Sequence, residues 1–408
     1  DSIKRSIEWK RNVPVSTIAN PVQISTLLKN DTSRNIFLKG LNGSGPAMTI
    51  ASLFTKGRGS YVCVLNDQEE AGYFYHDLMQ LTASNEVYFF PSAYRRAIKY
   101  GHVDPANEIL RTEVLSRLQD PDASFVIVTY PDALAERVVA REVLKENTLK
   151  ISVGEKLDNM FVSDVLDEYG FEQVDYVYEP GQYAVRGSII DVFSFASEYP
   201  YRIDFFGDEV ESIRTFEVES QLSREKKEGV SIVPDLAVTG DVTTSFLDFI
   251  PKETTLAMRD FLWLRERIQV VHDEALTPQA IAVQEVEENG GITLEGKLID
   301  GSEFTVRALD FRRLEFGNKP TGTPNASVTF DTSAQPIFHK NFDLVAGSFK
   351  EYLEKGYTLY ICSDSMKQTD RIRAIFEDRG DKIKFTPVER TVHEGFVDNT
   401  LRLCIFTD

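Results

Sequence analysis

Short apolar runs that alternate with amphipathic stretches limit the possible folds of this chain more than any other feature of its sequence. The runs are rich in β-branched and aromatic residues and lie at 35–40, 61–66, 86–91 and 124–130. Helical patterns occupy the stretches 67–81, 104–118 and 131–144. Strands that alternate with helices usually pair in parallel and are covered by those helices. The pattern therefore predicts an α/β domain built on a parallel sheet.

The pattern changes near Leu149. After a predicted helix at 158–170, three strand-like runs follow at 171–179, 182–195 and 201–218, separated by turns that contain Gly or Pro. Short turns between consecutive strands are typical of an antiparallel meander. We therefore expect a small α+β domain here, before the last part of the chain returns to an α/β pattern.

These changes divide the chain into three structural units. Residues 1–148 and 231–334 are expected to form one α/β domain with a degenerate P-loop, and residues 149–230 form an α+β domain inserted into it. Residues 335–408 form a separate small α/β domain whose role is open. Within the second part of the first domain, the apolar stripe of 254–275 predicts a single helix.

A glycine loop follows the first predicted strand. Gly40 and Gly45 match the spacing of a P-loop, G-x-x-x-x-G-K-[ST], but Pro46 replaces its Lys and Ala47 replaces its Ser or Thr. In a P-loop the Lys neutralises phosphates and the hydroxyl holds Mg²⁺. We therefore expect a loop that keeps its shape without hydrolysing ATP, with no catalytic residue, no metal and no cofactor. Residual nucleotide binding is the alternative.

The predicted strand at 201–206 has one face of unusual composition. Side chains alternate across a strand, so the odd-numbered residues are expected in the core and the even-numbered ones, among them Arg202 and Phe206, on the other face. On the neighbouring strand, Arg186 shares its face with small residues that leave it open to solvent. If the two strands pair, Arg186, Arg202 and Phe206 form one patch.

Arginine beside an exposed aromatic ring is typical of a protein–protein hot spot. The alternative is a solvated sheet face on which Phe206 lies under a loop. The chain has 45 Lys and Arg against 64 Asp and Glu, a formal net charge of −19. This balance disfavours broad non-specific binding to nucleic acid, whereas a local basic patch would orient a partner.

Other functional classes are disfavoured by what the sequence lacks. No apolar run approaches the roughly 18–20 residues that a membrane span needs. The cysteines Cys63, Cys362 and Cys404 are far apart, which predicts buried reduced thiols and a cytoplasmic location. The five histidines show no ligand spacing, which disfavours a zinc site. The missing initiator Met and the strand-like end lead us to expect a fragment of a longer protein.

The block at 178–218, with YEPGQYAVRGSIIDVFSF and YPYRIDFFGDEVESIRTFEV, resembles a signature shared by UvrB and the bacterial transcription-repair coupling factors. The degenerate loop, the segment 94–118 and the segment 393–408 are similar to the coupling factors in particular. UvrB itself is the near alternative. It keeps an intact P-loop and inserts a long aromatic hairpin, whereas only the short stretch 91–103 lies at the corresponding place here.

The resemblance implies a UvrB-like fold and a role in recruitment. Coupling factors recognise RNA polymerase stalled at a DNA lesion, displace it with a C-terminal ATP-driven translocase, and recruit the excision-repair protein UvrA. The small inserted domain docks onto UvrA through residues that match Arg186, Arg202 and Phe206. By the same resemblance, RNA polymerase, DNA and ATP would be bound by C-terminal domains beyond Asp408, and the docking surface would be masked against that part of the protein.

Two other functions are left open. One is a nucleotide-dependent enzyme on the first domain, which the missing Lys argues against. The other is direct binding to a DNA strand by a basic cluster beside two aromatic residues, namely Arg95, Arg96 and Lys99 beside Tyr94 and Tyr100. The bland alternative for this cluster is an exposed loop with solvated charges.

Overall fold

In the computed structural model of the chain, the described residues are 21–94, 104–236, 243–285, 294 and 296–407. Their largest element is a seven-stranded sheet. Its strands are β1 (Asn35–Lys39), β2 (Tyr61–Val64), β3 (Val87–Phe89), β4 (Val126–Thr129), β15 (Thr255–Met258), β16 (Arg312–Glu315) and β17 (Ala326–Thr329). They lie in the order β17-β1-β16-β15-β2-β4-β3, and every neighbouring pair is parallel. The predicted parallel α/β sheet is confirmed.

Helices pack against this sheet and bury its apolar strands. They are α1 (Pro21–Leu28), α2 (Gly45–Thr55), α3 (Gln68–Thr82), α4 (Pro105–Arg117), α5 (Pro131–Ala135), α6 (Arg141–Glu146), α8 (Phe246–Phe249), α9 (Phe261–Ala275) and α11 (Gly301–Ala308). A further helix, α10 (Pro278–Glu285), contacts α9. Aspartate caps begin three of the longest: Asp67, Asp104 and Asp260 each accept a hydrogen bond from a backbone N–H of the first turn. Such caps satisfy donors that the helix itself cannot.

The structure corrects two sequence predictions. The stretch 254–275 is not one helix, because its beginning forms β15 between β2 and β16, and the helix starts only at Phe261. The predicted helix at 131–144 is also interrupted. Between α5 and α6, its middle forms the short strand β5 (Val138–Val139). This strand pairs with β14 (Thr243–Thr244).

A second sheet is formed between β4 and β15 in the chain. Its strands are β7 (Glu172–Gln173), β8 (Gln182–Arg186), β9 (Ile189–Val192), β10 (Tyr201–Phe206), β11 (Glu209–Phe216) and β12 (Ser223–Lys227). The pairs from β8 to β12 are antiparallel, as the predicted meander requires. Helix α7 (Asn159–Glu168) packs Val162 and Leu166 into the core on one face of this sheet. Beside it, β6 (Leu149–Ser152) pairs with β13 (Gly229–Ile232).

The last part of the chain forms a five-stranded sheet with its own apolar core. Its strands are β18 (Thr332–Ala334), β19 (Thr358–Cys362), β20 (Thr386–Val388), β21 (Phe396–Asp398) and β22 (Leu403–Thr407). Two helices, α12 (Phe342–Glu354) and α13 (Met366–Asp378), follow the amphipathic pattern of their sequence. We refer to residues 332–407 as the terminal unit.

Three further observations concern the described part of the chain as a whole. None of its helices is long and apolar enough to cross a membrane. Within the same residues, no three His, Cys, Asp or Glu side chains are grouped so that they could hold a metal ion. Cys63, Cys362 and Cys404 are buried free thiols, as predicted.

Candidate functional site

Strand β10 shows the alternation that the sequence predicts. Ile203 and Phe205 are buried in the core beneath the sheet. Arg202 and Phe206 point to the opposite face, and a bulge between Asp204 and Phe205 shifts the register with β11, after which Phe206 pairs with Glu209. The strand therefore directs both candidate residues away from the core covered by α7.

Asp191 lies at the centre of this face and binds both candidate arginines. Arg202 is directly opposite it in the β9–β10 pairing and donates from Nε to Oδ1 at 2.8 Å and from Nη2 to Oδ2 at 3.0 Å. Arg186 also donates from Nη2 to Asp191 Oδ2. The Asp191 side chain is only 1% exposed. A buried carboxylate that accepts several charged hydrogen bonds fixes the orientation of each guanidinium.

Aromatic rings support the two guanidinium groups. The Arg202 guanidinium lies 4.4 Å from the centroid of the buried Phe216 ring, and its Nη1 donates to the Gln221 carbonyl at 3.0 Å. The Arg186 guanidinium lies 5.3 Å from the centroid of the exposed Tyr176 ring. Stacking and ion pairing together restrict both arginines to one arrangement.

The accessible part of this face differs from the predicted one. The Arg186 side chain is 38% exposed, but that of Arg202 is only 14% exposed because Phe216 and the Gln221 backbone cover it. Phe206 is 78% exposed, so the alternative that placed it under a loop is wrong. We call Arg186, Asp191, Arg202 and Phe206 the arginine face.

A row of basic residues extends from this face across two further strands. Arg202 is opposite Arg214 of β11, which is opposite the exposed Lys226 of β12. Directly opposed residues point to the same side of a sheet. Sequence reasoning missed this row and Asp191. The only signal for Asp191 was a single charged residue within the apolar run Ile189–Val192.

The glycine loop joins β1 to α2 with the predicted strand–loop–helix geometry. Gly40 has a φ of +88°, and a Cβ there would lie 2.1 Å from the Phe330 carbonyl oxygen. Gly45 begins the helix and Pro46 occupies its first turn. Ala47 is buried at 1% exposure. The loop thus keeps a tight backbone, while the two positions at which a P-loop binds phosphate and Mg²⁺ carry apolar side chains.

Residues of the terminal unit contact this loop. The Ser44 backbone N–H donates to the Glu394 carbonyl at 2.9 Å, and Ser44 Oγ donates to Asp77 Oδ2 at 2.6 Å. The backbone N–H groups of His393 and Glu394 donate to Asp77 Oδ1 and Ser44 Oγ, at 2.8 and 3.1 Å. Burial raises the pKa of the Asp77 carboxyl, and the hydrogen bonds from Ser44 and His393 offset part of this shift.

Of the basic cluster considered for DNA binding, only Tyr94 belongs to the described residues. Arg95, Arg96, Lys99 and Tyr100 lie outside the described residues. Tyr94 is described, and it is half-buried against a small apolar cluster around Ala275.

The comparison with protein families bears directly on the segment that carries the arginine face. Residues 149–237 match the model of the UvrB interaction domain. Several curated relatives match longer stretches and carry the name transcription-repair-coupling factor. The resemblance to this family is confirmed.

Three of these relatives show the extent of the similarity. The coupling factor of Escherichia coli (strain K12) is 28% identical over 215 residues, which are 52% of this chain and 18% of the relative. That of Haemophilus influenzae is 31% identical over 192 residues, 46% of this chain and 16% of the relative. That of Staphylococcus aureus (strain bovine RF122 / ET3-1) is 20% identical over 428 aligned positions, which cover 87% of this chain and 36% of the relative. The matched regions therefore span less than half of each coupling factor.

Proposed function

We propose that this chain is an adaptor segment of a transcription-repair coupling factor and that its arginine face binds the excision-repair protein UvrA. The match of residues 149–237 to the UvrB interaction domain supports a role in DNA repair and a partner of this type. The observation that carries the proposal is the shared Asp191 carboxylate, which holds Arg186 and Arg202 side by side on the face of the sheet from which the exposed Phe206 also projects.

The geometry fits a hot spot with one ring and one available cation. Phe206 offers an apolar anchor, since nearly four-fifths of it is exposed and available to a partner. Arg186 keeps an exposed edge that can donate hydrogen bonds to a carboxylate of the partner. Arg202 has little free surface and acts mainly by positioning Asp191. Because Asp191 and the Tyr176 ring already hold the Arg186 guanidinium in place, this side chain loses little entropy on binding.

The proposal includes a domain arrangement and no catalysis by this segment. Residues 149–230 would be the inserted docking domain, and 1–148 with 231–334 the UvrB-like domain with its degenerate P-loop. The seven-stranded sheet, which takes strands from both sides of the meander, supports this division. The full-length protein would be an ATP-dependent translocase in the cytoplasm that engages RNA polymerase, DNA and ATP through other domains.

A titration of UvrA against the chain tests the proposal. We expect Phe206→Ala and Arg186→Ala each to weaken binding by about 2 kcal/mol, roughly thirtyfold, because hot-spot anchors contribute on this scale. Isothermal calorimetry of UvrA with each variant measures the change, and circular dichroism verifies that each variant is folded.

Matched variants separate the arginine face from general surface effects. Phe161→Ala removes another exposed ring of the same segment, on the helix that covers the opposite face of the sheet. Arg373→Ala removes an arginine that, like Arg186, has one ion pair and lies over one ring, but in the terminal unit. Both are expected to bind as the unaltered chain does. Full affinity in Phe206→Ala and Arg186→Ala would reject the arginine face as the docking site.

A further inference from the structure

In this structure the glycine loop is already bound to another segment of the same chain. A glycine-rich loop of the P-loop type binds phosphate through its backbone N–H groups at the N-terminus of the following helix. Here the Ser44 N–H, which directly precedes α2, donates to the Glu394 carbonyl at 2.9 Å. A peptide carbonyl therefore occupies a donor that a phosphate oxygen would use.

The side chains of Ser44 in the loop and Asp77 on α3 bind the backbone N–H groups of Glu394 and His393. Asp77 is only 3% exposed, and its two carboxylate oxygens accept from the His393 N–H and from Ser44 Oγ. Ser44 Oγ in turn accepts from the Glu394 N–H at 3.1 Å. Consecutive backbone groups of the terminal unit are thus bound by one serine and one aspartate.

The Gly43 backbone lies directly against the backbone of Glu394 and Gly395. Gly43 has a φ of +52°, and a Cβ there would lie 2.6 Å from the Gly395 carbonyl oxygen and 2.9 Å from that of Glu394. The Tyr73 and His393 rings stack with centroids 3.6 Å apart. At Gly43 and Ser44 the loop is in direct contact with the segment 393–395, so a phosphate could not approach these two positions without displacing that segment.

Charge at the adjoining cavity also opposes phosphate. This cavity of about 310 Å³ borders Gly43 and Pro46 and has five carboxylates in its lining, from Asp67, Glu69, Glu70, Asp77 and Glu394. Arg259, a cation of the same lining, is held in an ion pair by Glu70. A polyphosphate would meet net negative charge in a confined space.

We infer that the glycine loop is a binding site for a peptide of its own chain, the segment 393–395, and that this peptide has taken the place of phosphate. The loop then joins the terminal unit to the seven-stranded sheet. Restoring the missing P-loop residues would not restore nucleotide binding, because the Ser44 donor is already bound and the adjoining cavity is lined by carboxylates.

Two measurements on the 408-residue chain test this inference. In Pro46→Lys/Ala47→Thr, which rebuilds the P-loop motif, titration with a fluorescent ATP analogue and Mg²⁺ should show no saturable binding at millimolar concentration. In Ser44→Ala and, separately, Asp77→Ala, hydrogen–deuterium exchange at residues 393–395 should become at least tenfold faster, while the strands of the arginine face keep their protection.

Ser52→Ala is the matched control for the exchange experiment. It removes a buried hydroxyl from α2, the helix that Ser44 precedes, and the Ser52 hydroxyl has no hydrogen-bond partner among the described residues. Exchange at 393–395 should stay unchanged in this variant. Saturable nucleotide binding by the rebuilt motif would overturn the inference. So would unchanged exchange at 393–395 in Ser44→Ala, the milder variant, even if Asp77→Ala fails to fold.

Discussion

Asp191 is the residue on which the arginine face depends. It is almost fully buried and accepts hydrogen bonds from two guanidinium groups. Burying a carboxylate is costly, and the cost is offset only when charged partners satisfy its oxygens. Without Asp191, Arg202 would be left with its guanidinium enclosed between Phe216 and the Gln221 carbonyl and without a counter-ion. One carboxylate therefore determines both the shape and the charge of this surface.

Replacement of Asp191 should destabilise the chain. For Asp191→Ala we expect a loss of about 3 kcal/mol in the free energy of unfolding, because removing one partner of a buried ion pair leaves the other uncompensated. Urea denaturation followed by circular dichroism measures it. Asp204→Ala is the control, since Asp204 lies on the same face and is bound to the Ser188 hydroxyl. A similar loss in both variants would contradict this account.

Residue-scale prediction from sequence succeeded where only alternation was needed. The parity of strand 201–206 correctly assigned Ile203 and Phe205 to the core and Phe206 to the other face. It could not identify Asp191, because which residue lies opposite Arg202 depends on the register set by the β8–β9 and β9–β10 turns. The covering of Arg202 by Phe216 depends on a third strand and was equally inaccessible.

At the scale of elements, helix α4 and the meander face each other across a cleft. The cleft has a volume of about 660 Å³, and its lining includes Glu113 of α4 with Glu198, Tyr201 and Lys227. Burial and the neighbouring Glu198 raise the pKa of Glu113 to about 7, against a smaller opposing effect of Lys227. Glu113 thus takes up a proton more readily in the folded chain than in the unfolded one.

This shift gives stability a defined pH dependence. Because the folded state binds the extra proton, the free energy of unfolding should fall as pH rises from about 4.5 to about 7 and then level off. Glu113→Gln should therefore be more stable than the unaltered chain at pH 8, by about 1 to 3 kcal/mol, and similar to it at pH 4.5. Thermal melts across this range measure the difference. Glu142→Gln, at an exposed position, should leave the pH profile unchanged. A parallel pH profile in Glu113→Gln would refute this explanation.

Two elements show why the sequence misassigned part of the fold. The four residues of β15 are all buried, and a short, fully buried strand has no alternating pattern that separates it from the helix that follows. The break at β5 is set by tertiary contacts, since the Arg137 N–H donates to the Lys297 carbonyl and β5 pairs with β14. Both departures depend on strands that are distant in the sequence: β14 lies more than 100 positions after β5, and β15 pairs with β2, nearly 200 positions before it, and with β16, more than 50 positions after it. Local patterns do not encode such partners.

At the scale of the whole molecule, the contact between the glycine loop and the terminal unit accompanies an apolar one, because Val392, Phe396 and Ile405 of that unit belong to the core of the seven-stranded sheet. The parallel sheet and the small antiparallel meander were predictable because their patterns are local. The contact between Ser44 and Glu394 was not, since it joins residues 350 positions apart and depends largely on backbone groups common to every residue. Only the two glycines at Gly43 and Gly395 hint at a close approach in the sequence.

Gly43 offers a test of this contact through stability. Gly43→Ala should lower the free energy of unfolding by about 3 kcal/mol. The left-handed backbone conformation accounts for about 1–2 kcal/mol of this loss, and the rest arises because the new Cβ would clash with two carbonyl oxygens. Gly57→Ala bears only the backbone cost, since Gly57 also has a positive φ but no atom of the described residues lies within 4 Å of its Cβ position. Differential scanning calorimetry should show the larger shift in Gly43→Ala. Equal shifts would mean that the contact contributes little.

The hydrogen bond from the Ser44 N–H to the Glu394 carbonyl links two points of a single polypeptide. A tethered group has a high and constant effective concentration, commonly in the millimolar range, whatever solutes surround the protein. Changes in the cell's supply of ATP or of inorganic phosphate would therefore leave this joint unaffected. A motif that in other proteins senses the nucleotide pool would here be insulated from it.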